Sequence, residues 1–402
     1  MGKNVLICHG GGPTAVINAS LYGALREAMM TPGVDHIYGA IGGTGGLVMD
    51  EPKLFDLRTL DKKQIDLLPY TPASVIGSGR LKMTEEYFER ICDVVRSHDI
   101  GYVIMNGGNG TMRMVAELAL RLEPDGVRVM GIPKTVDNDL YGTDHTPGFA
   151  SCASLAAILT RGISMDTRSG PLHVMVVEVM GRDAGWLTAS TAMARVKPGD
   201  GPHLIYTAEN PVSVDKMMGD IDNTLCGRPG GIVVAVGEGI KNELGEPFCP
   251  PIETPNGDVL YGGMANHISA LIVQKLGIQG RPERIGMLAR TDYRASNLDR
   301  SEAIDMGRLA MLCAAKGHTG MVVGWERVSS SPYKVEPILT AATAVAGRNK
   351  TIPADWFNDE KNDVNEKFIE YMRPLCDMLP PQMADPLTPP VVGVPEFIIP
   401  TR

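Results

Sequence analysis

Apolar positions along the chain fall into short unbroken runs, most of them closed by glycine and followed by a segment with helical spacing. The runs at 5–8, 36–40, 102–105, 127–132, 173–179, 203–207 and 231–236 are continuous rather than alternating. That is the pattern of strands buried on both faces. Helical spacing follows over 16–30, 113–122, 150–163 and 264–276, and again after Trp186. Strands alternating with helices in this way predict an α/β protein built on parallel sheets.

The turns between these elements carry the chemistry. His9-Gly10-Gly11-Gly12-Pro13-Thr14 joins a strand to a helix, and backbone N–H groups in such a turn converge on an anion at the helix N-terminus. Its spacing fits neither the Walker loop nor GxGxxG, so a ligand-free tight turn is an equal reading of this stretch alone. Asn106-Gly107-Gly108-Asn109-Gly110-Thr111 repeats the arrangement. Two such turns at neighbouring strand ends would grip two phosphoryl groups of one donor. Between them, Ile76-Gly77-Ser78-Gly79-Arg80 presents one arginine, whose fork can bind two phosphate oxygens.

The central stretch is 131–148, GIPKTVDNDLYGTDHTPG. It leaves a strand at Pro133 and offers Lys134, Thr135, Asp137 and Asp139 within six residues, in the crevice where open α/β sheets bind ligands. An Asx-rich surface turn is the plainer reading of that stretch by itself. The neighbouring glycine turns tip the balance toward a site. Further on, Met180-Gly181-Arg182 ends one strand and Gly237-Glu238 another. Arg281, Arg284, Arg290 and Arg294 then form either a solvated basic loop or a clamp for a sugar phosphate, with nothing in that span to choose between them.

Composition bounds the reading. At 402 residues, two domains are expected. A net charge of −9 argues against a nucleic-acid surface. The seven cysteines are scattered and odd in number, so they read as buried thiols of a reducing compartment rather than disulfides or a zinc framework. No apolar run reaches membrane-spanning length, and no signal peptide precedes the first strand. A cytoplasmic protein without membrane or nucleic-acid partners is expected.

PKTVDND at 133–139 and MGRDAG at 180–185, in that order, resemble the phosphofructokinase family, whose members use ATP or pyrophosphate. The likeness runs over roughly 3–326, and Phe368-Ile369-Glu370-Tyr371-Met372-Arg373-Pro374-Leu375 resembles the pyrophosphate-using branch. It implies two Rossmann-like three-layer α/β/α domains with the active site in the cleft between them. The expected division is a donor domain at 1–150, rejoined by part of 300–402, a sugar-phosphate domain at 151–326, and a wrapping extension at 327–402. The resemblance makes Asp137 the general base for the sugar's 1-hydroxyl, flanked by Thr135, Val136 and Asp139. Arg80 and Arg182 would stabilise the transferring phosphoryl group. Gly11, Gly12, Arg80, Gly108, Gly110, Thr111 and Lys134 would hold the donor. Met180, Gly181, Arg182, Glu238, Met287, Leu288, Ala289 and Arg290 would line the sugar site.

The departures from the family pattern are specific. The position that carries a metal-binding Asp in many members is Asn109, a weaker ligand, so Mg²⁺ would lean on the donor's phosphates. Met287 and Ala289 cannot donate the hydrogen bonds expected of the sugar clamp, and His173 replaces an arginine that reaches a neighbouring subunit. Gly110 is the ATP-like choice and Lys134 the pyrophosphate-like one. The aromatic positions that flank adenine are Gly42 or Gly43 and Leu81, which favours pyrophosphate. The resemblance therefore implies phosphoryl transfer from pyrophosphate to fructose 6-phosphate by a homodimer or homotetramer. ATP as donor, sedoheptulose 7-phosphate as acceptor and an inactive regulatory subunit are the alternatives. A NAD-dependent oxidoreductase lacks both GxGxxG and the acidic ribose ligand.

Overall fold

The computed structural model describes residues 3–169, 173–226, 230–250, 252–253, 259–260 and 262–379. Two sheets dominate it, the second parallel throughout and the first parallel at its centre with an antiparallel strand at each edge. The first is built from β1 (Asn4–His9), β2 (Ile37–Ala40), β3 (Leu54–Asp56), β4 (Ile100–Gly107) and β5 (Arg128–Pro133), and its helices include α1 (Ile17–Met30), α2 (Glu85–Ser97) and α3 (Asn109–Leu122). Helix α4 (Phe149–Ser169) leads into the second unit: β6 (Val174–Val179), β7 (Leu204–Tyr206), α5 (Val214–Leu225), β8 (Ile232–Gly237), α6 (Met264–Leu276) and β9 (Gly280–Arg284). The chain then returns through α7 (Asn297–Ala315), β10 (Met321–Ser330) and β11 (Tyr333–Ala341), and ends its described part with α8 (Glu366–Met372).

Strand order in the first sheet is β11-β10-β5-β4-β1-β2-β3, and in the second β9-β6-β8-β7. Every residue of β1, β6 and β8 is buried, which is why these strands read as unbroken apolar runs. In the first sheet the winding direction reverses between β1 and β4, and in the second between β6 and β9. Ligands bind at such reversals. Here they bring the turns after β1 and β4 together, and likewise those after β6 and β9.

Sheet membership closes the first stretch of the first unit just before residue 150 and brings part of 300–402 back to it. Residue 150 is the second residue of α4, and β10 pairs in parallel with β5 of the first sheet. Helix α7 packs on α1 so closely that a Cβ at Gly307 would overlap the carbonyl of Ser20, and one at Gly23 the carbonyl of Ile304. Gly307→Ala should therefore cost roughly 1–3 kcal/mol of stability, read as a lower urea midpoint at unchanged slope. The second unit is thus inserted into the first. Its two ends are tied by Asp299, 1% exposed, which accepts from Gly148 N at 2.9 Å, Ser151 N at 3.0 Å and Ser151 Oγ at 2.5 Å.

From Ser329 the chain continues an antiparallel hairpin through Ala341. After it the chain crosses to the second unit, where Trp186, Trp356, Phe368 and Tyr371 form one aromatic cluster with ring centroids 5.3–6.4 Å apart. The proline-punctuated tail at 380–402 lies outside the described residues. The seven cysteines are free thiols. Among the described residues no helix is long and apolar enough to cross a membrane.

Candidate active site

The glycine turns interlock before any ligand is considered. Gly10 N donates to Asn106 O at 2.8 Å, Gly11 N to Gly79 O at 3.0 Å, and Lys134 N to Gly107 O at 3.0 Å. Ser78 Oγ donates to Gly11 O at 2.7 Å. The ends of β1, β4 and β5 and the 77–80 turn are therefore one backbone platform. Side chains are excluded from it by side chains that arrive there. A Cβ at Gly12 would stand 3.0 Å from Arg80 Nη2 and 3.2 Å from Arg290 Nη1, and one at Gly11 3.2 Å from Lys134 Nζ.

At the centre lies a cavity of about 190 Å³, lined from the first unit by Gly12, Thr14, Arg80, Lys134, Thr135, Val136 and Asp137, and from the second by Met180, Glu238 and Arg290. Three cations and two carboxylates face one small space. Lys134, 3% exposed, donates to Gly12 O at 2.6 Å. Burial first, then the charge of Arg80, lowers its pKa to about 8. Asp137 moves the other way, to about 7, through burial and then the negative charges of Asp139 and Glu238. Arg290 Nε is buried without a hydrogen-bond partner, a donor left open for an anion.

Two larger cavities open from this centre. One of about 490 Å³ is lined by Met180, Glu238, Arg284, Met287, Leu288 and Arg290. Glu238 accepts weakly from Gly181 N at 3.4 Å, and Arg284 pairs with Glu178 at 3.2 Å. The other, about 1030 Å³, runs past Gly11, Gly108, Gly110 and Thr111 to Lys82, Phe88, Arg113 and Arg121, with Arg80 and Arg182 on its walls. A Cβ at Gly110 would meet nothing within 4 Å, so this side is open.

Asn109 lines neither of these two spaces. Its Nδ2 lies 3.3 Å from Asp139 Oδ2 and 3.2 Å from Asn349 Oδ1, while its Oδ1 is buried without a partner. Burial raises Asp139 above the usual carboxylate range. Among the described residues no group of three or more His, Cys, Asp and Glu could hold a metal by itself.

Several residues differ from their expected placement. Ala289, 1% exposed, turns into the core of the second unit, because a single helical turn at Gly286–Arg290 sends Met287 and Leu288 outward, Arg290 to the central cavity and Ala289 in. Arg281 and Arg284 stand on an edge strand rather than a loop, and Arg294 pairs with Asp292 at 2.8 Å. His173, at the position of the family's arginine, is buried. Arg182 lies on the donor-side cavity and pairs with Asp183 at 3.2 Å. Lys82, Arg113 and Arg121 enter that cavity without any signal in the sequence motifs. Each is a surface cation in a helical or loop pattern until the fold brings it to the wall.

Comparison with known proteins follows the same outline. The phosphofructokinase family profile matches residues 4–315. The pyrophosphate–fructose 6-phosphate 1-phosphotransferase of Rhodospirillum rubrum is 36% identical over 384 residues, 92% of this chain and 93% of that protein. The crystal structure of a pyrophosphate-dependent phosphofructokinase from Nitrosospira multiformis superposes with a TM-score of 0.84 at 30% identity, covering 96% of this chain and 95% of that one. A second, from Marinobacter aquaeolei, gives 0.83 at 29% identity, with 93% and 91% covered.

Proposed function

The chain belongs to the phosphofructokinase family, and from that premise we propose that it moves a phosphoryl group from pyrophosphate to the 1-hydroxyl of fructose 6-phosphate. The products are fructose 1,6-bisphosphate and phosphate. One observation carries the reading: Lys134, Arg80 and Arg290 converge with Asp137 in a single small cavity between the donor turns and the sugar-side walls. Phosphoryl transfer asks for little else than in-line positioning, charge neutralisation and one base.

Each residue has a role in that scheme. The Asp137 carboxylate takes the hydroxyl proton as the oxygen attacks phosphorus, and its pKa of about 7 suits a base working near neutrality. Lys134 and Arg80 neutralise the donor, and Arg182 faces it from the second unit. Glu238 and Arg290 hold the sugar phosphate, while Met287 and Leu288 give that pocket an apolar rim. Thr135 Oγ1 accepts from Asp137 N at 3.1 Å and steadies the base. The anionic transition state explains why cations outnumber carboxylates here.

Asn109 and Asp139 would hold Mg²⁺: the Asn109 Oδ1 is buried without a partner, and its Nδ2, 3.3 Å from Asp139 Oδ2, would swing away to put that oxygen beside the carboxylate. Both are hard oxygen donors, and the donor's phosphates would complete the shell. Bound there, the ion would offset phosphate charge. Excess chelator should abolish turnover, and Asn109→Asp should tighten Mg²⁺, measured both as a lower half-saturating concentration and by calorimetry with Mg²⁺ and pyrophosphate. Full activity in chelator overturns the requirement.

Steady-state assays of fructose 6-phosphate with pyrophosphate and with ATP test the whole reading. Turnover with pyrophosphate at a higher kcat/KM than with ATP is expected. The open wall at Gly110 and the apolar surface of Met83 and Phe88 in the 1030 Å³ cavity favour ATP as the second reading. No turnover with either donor overturns the catalytic assignment. The working form we propose is a cytoplasmic homodimer or homotetramer, closed symmetry being the usual outcome.

A further inference from the structure

The turn that carries Asp137 is held from behind by a part of the chain that the family profile, ending at 315, does not reach. Asn138 stands between Asp137 and Asp139, wholly buried, with φ of +54°. Asn tolerates that left-handed conformation better than most non-glycine residues, and here its surroundings hold it in place. The enforcement is visible. Asn138 Nδ2 donates to Tyr371 Oη at 3.0 Å, and Asn138 Oδ1 accepts from Lys350 Nζ at 2.9 Å and from Thr146 N at 3.2 Å.

Lys350 is fixed at every polar atom. Its Nζ also donates to Asp144 O at 2.6 Å and Thr143 O at 3.1 Å, and lies 5.0 Å from the centroid of the Trp186 ring. Its backbone N donates to Asp139 O at 2.7 Å, and its carbonyl accepts from Trp186 Nε1 at 2.9 Å. Tyr371 Oη donates to Asp144 O at 2.8 Å, with the Arg327 guanidinium 4.3 Å from its ring centroid. Three acceptors and an indole face are what an ammonium needs when it leaves water. None of these groups lines the cavities that face substrate.

We propose that Lys350 and Tyr371 are positioning residues of the phosphoryl transfer: acting through Asn138, they fix the backbone on which Asp137 and Asp139 stand, so that one carboxylate enters the substrate cavity and the other turns to Asn109. The proposal rests on Asp137 being the base. A displacement of about 1 Å in a reacting group can cost on the order of 100-fold in rate, without weakening ground-state binding to match.

Four variants test it: Lys350→Met, Tyr371→Phe, Asn138→Gly and the Lys350→Met/Asn138→Gly double. Glycine takes the left-handed conformation freely but offers no amide to hold. Kinetics run well below each variant's thermal midpoint, with folded active sites counted by titration. The expected result is a fall in kcat of roughly 30- to 100-fold for Lys350→Met and at least tenfold for Asn138→Gly and Tyr371→Phe. KM for both substrates should stay within about threefold, and the double variant should be no more than about threefold worse than Lys350→Met. If Lys350→Met does not fold, Tyr371→Phe and Asn138→Gly carry the same comparison. A kcat per folded site within threefold of wild type in these variants overturns the proposal, as does a double variant whose losses multiply. Unchanged turnover in Asp137→Asn instead overturns the base assignment, whatever the Lys350 variants show.

Discussion

Asp137→Asn should leave the fold and both KM values nearly intact while lowering kcat by two or more orders of magnitude, about the contribution of a positioned general base. The amide keeps the shape of the carboxylate and cannot take a proton. The pH dependence gives a second reading of the same residue. Asp137 acts as a base only when ionised, above its pKa of about 7, and Lys134 neutralises the donor only when protonated, below about 8. In the wild type, kcat/KM should rise through the first value and fall through the second, and the residual activity of Asp137→Asn should lose the rise. Stability moves in the opposite sense. A carboxyl whose folded pKa lies above its unfolded value of about 3.9 binds its proton more tightly when folded. The protein therefore loses stability as pH climbs from about 4 to about 7, and the neutral amide of the variant removes that loss. The thermal midpoint of Asp137→Asn should exceed wild type by more at pH 8 than at pH 4. Near-normal turnover in the variant would remove Asp137 as the base.

Lys134→Gly should shift the ratio of specificity constants toward ATP by at least tenfold, about 1.4 kcal/mol. Pyrophosphate has no nucleoside through which to bind, so it depends on cations at the donor turns. Lys134 is the buried one among them, and a charge-assisted contact in a partly dry cleft contributes roughly 1.5–3 kcal/mol. ATP would keep the apolar surface around Phe88 and Met83 in the cavity beyond Gly110. Gly110→Asp tests the other side of the same discrimination. It places a carboxylate in open space on the donor's path, and should abolish residual ATP use while sparing pyrophosphate. Kinetics of wild type and both variants with each donor decide the matter. A wild type that prefers ATP would mean that Gly110, and not Lys134, sets the donor.

What was legible in the sequence follows from how each element is buried. β1, β6 and β8 are enclosed on both faces, so their residues are apolar without interruption and their ends are marked by glycine. The edge strand β9, Gly-Arg-Pro-Glu-Arg, contributes backbone pairing and leaves its side chains largely in solvent, so it reads as a basic loop. β11 is also an edge and carries no continuous apolar face. Helix α7 buries small residues such as Ala303, Gly307 and Ala310 against α1, a packing that apolar bulk does not announce. In the site, Lys134, Asp137, Arg80 and Glu238 were legible because each ends a strand or turn of the expected kind. Lys350 was not, since it stands 212 residues from Asn138 in an irregular segment and only the closed fold brings them together.

The chain passes between its two units three times: at 134–148, between Ile285 and Asn297, and again after Ala341. The first passage carries Asp137 and Asp139. The third carries Lys350, which bonds to the first through Asp139 O and Asn138. Asp137, the proposed base, therefore stands on a linking passage rather than within either sheet. That passage is tied to the third beside it, so loss of the tie would be felt on the donor-side and sugar-side walls together.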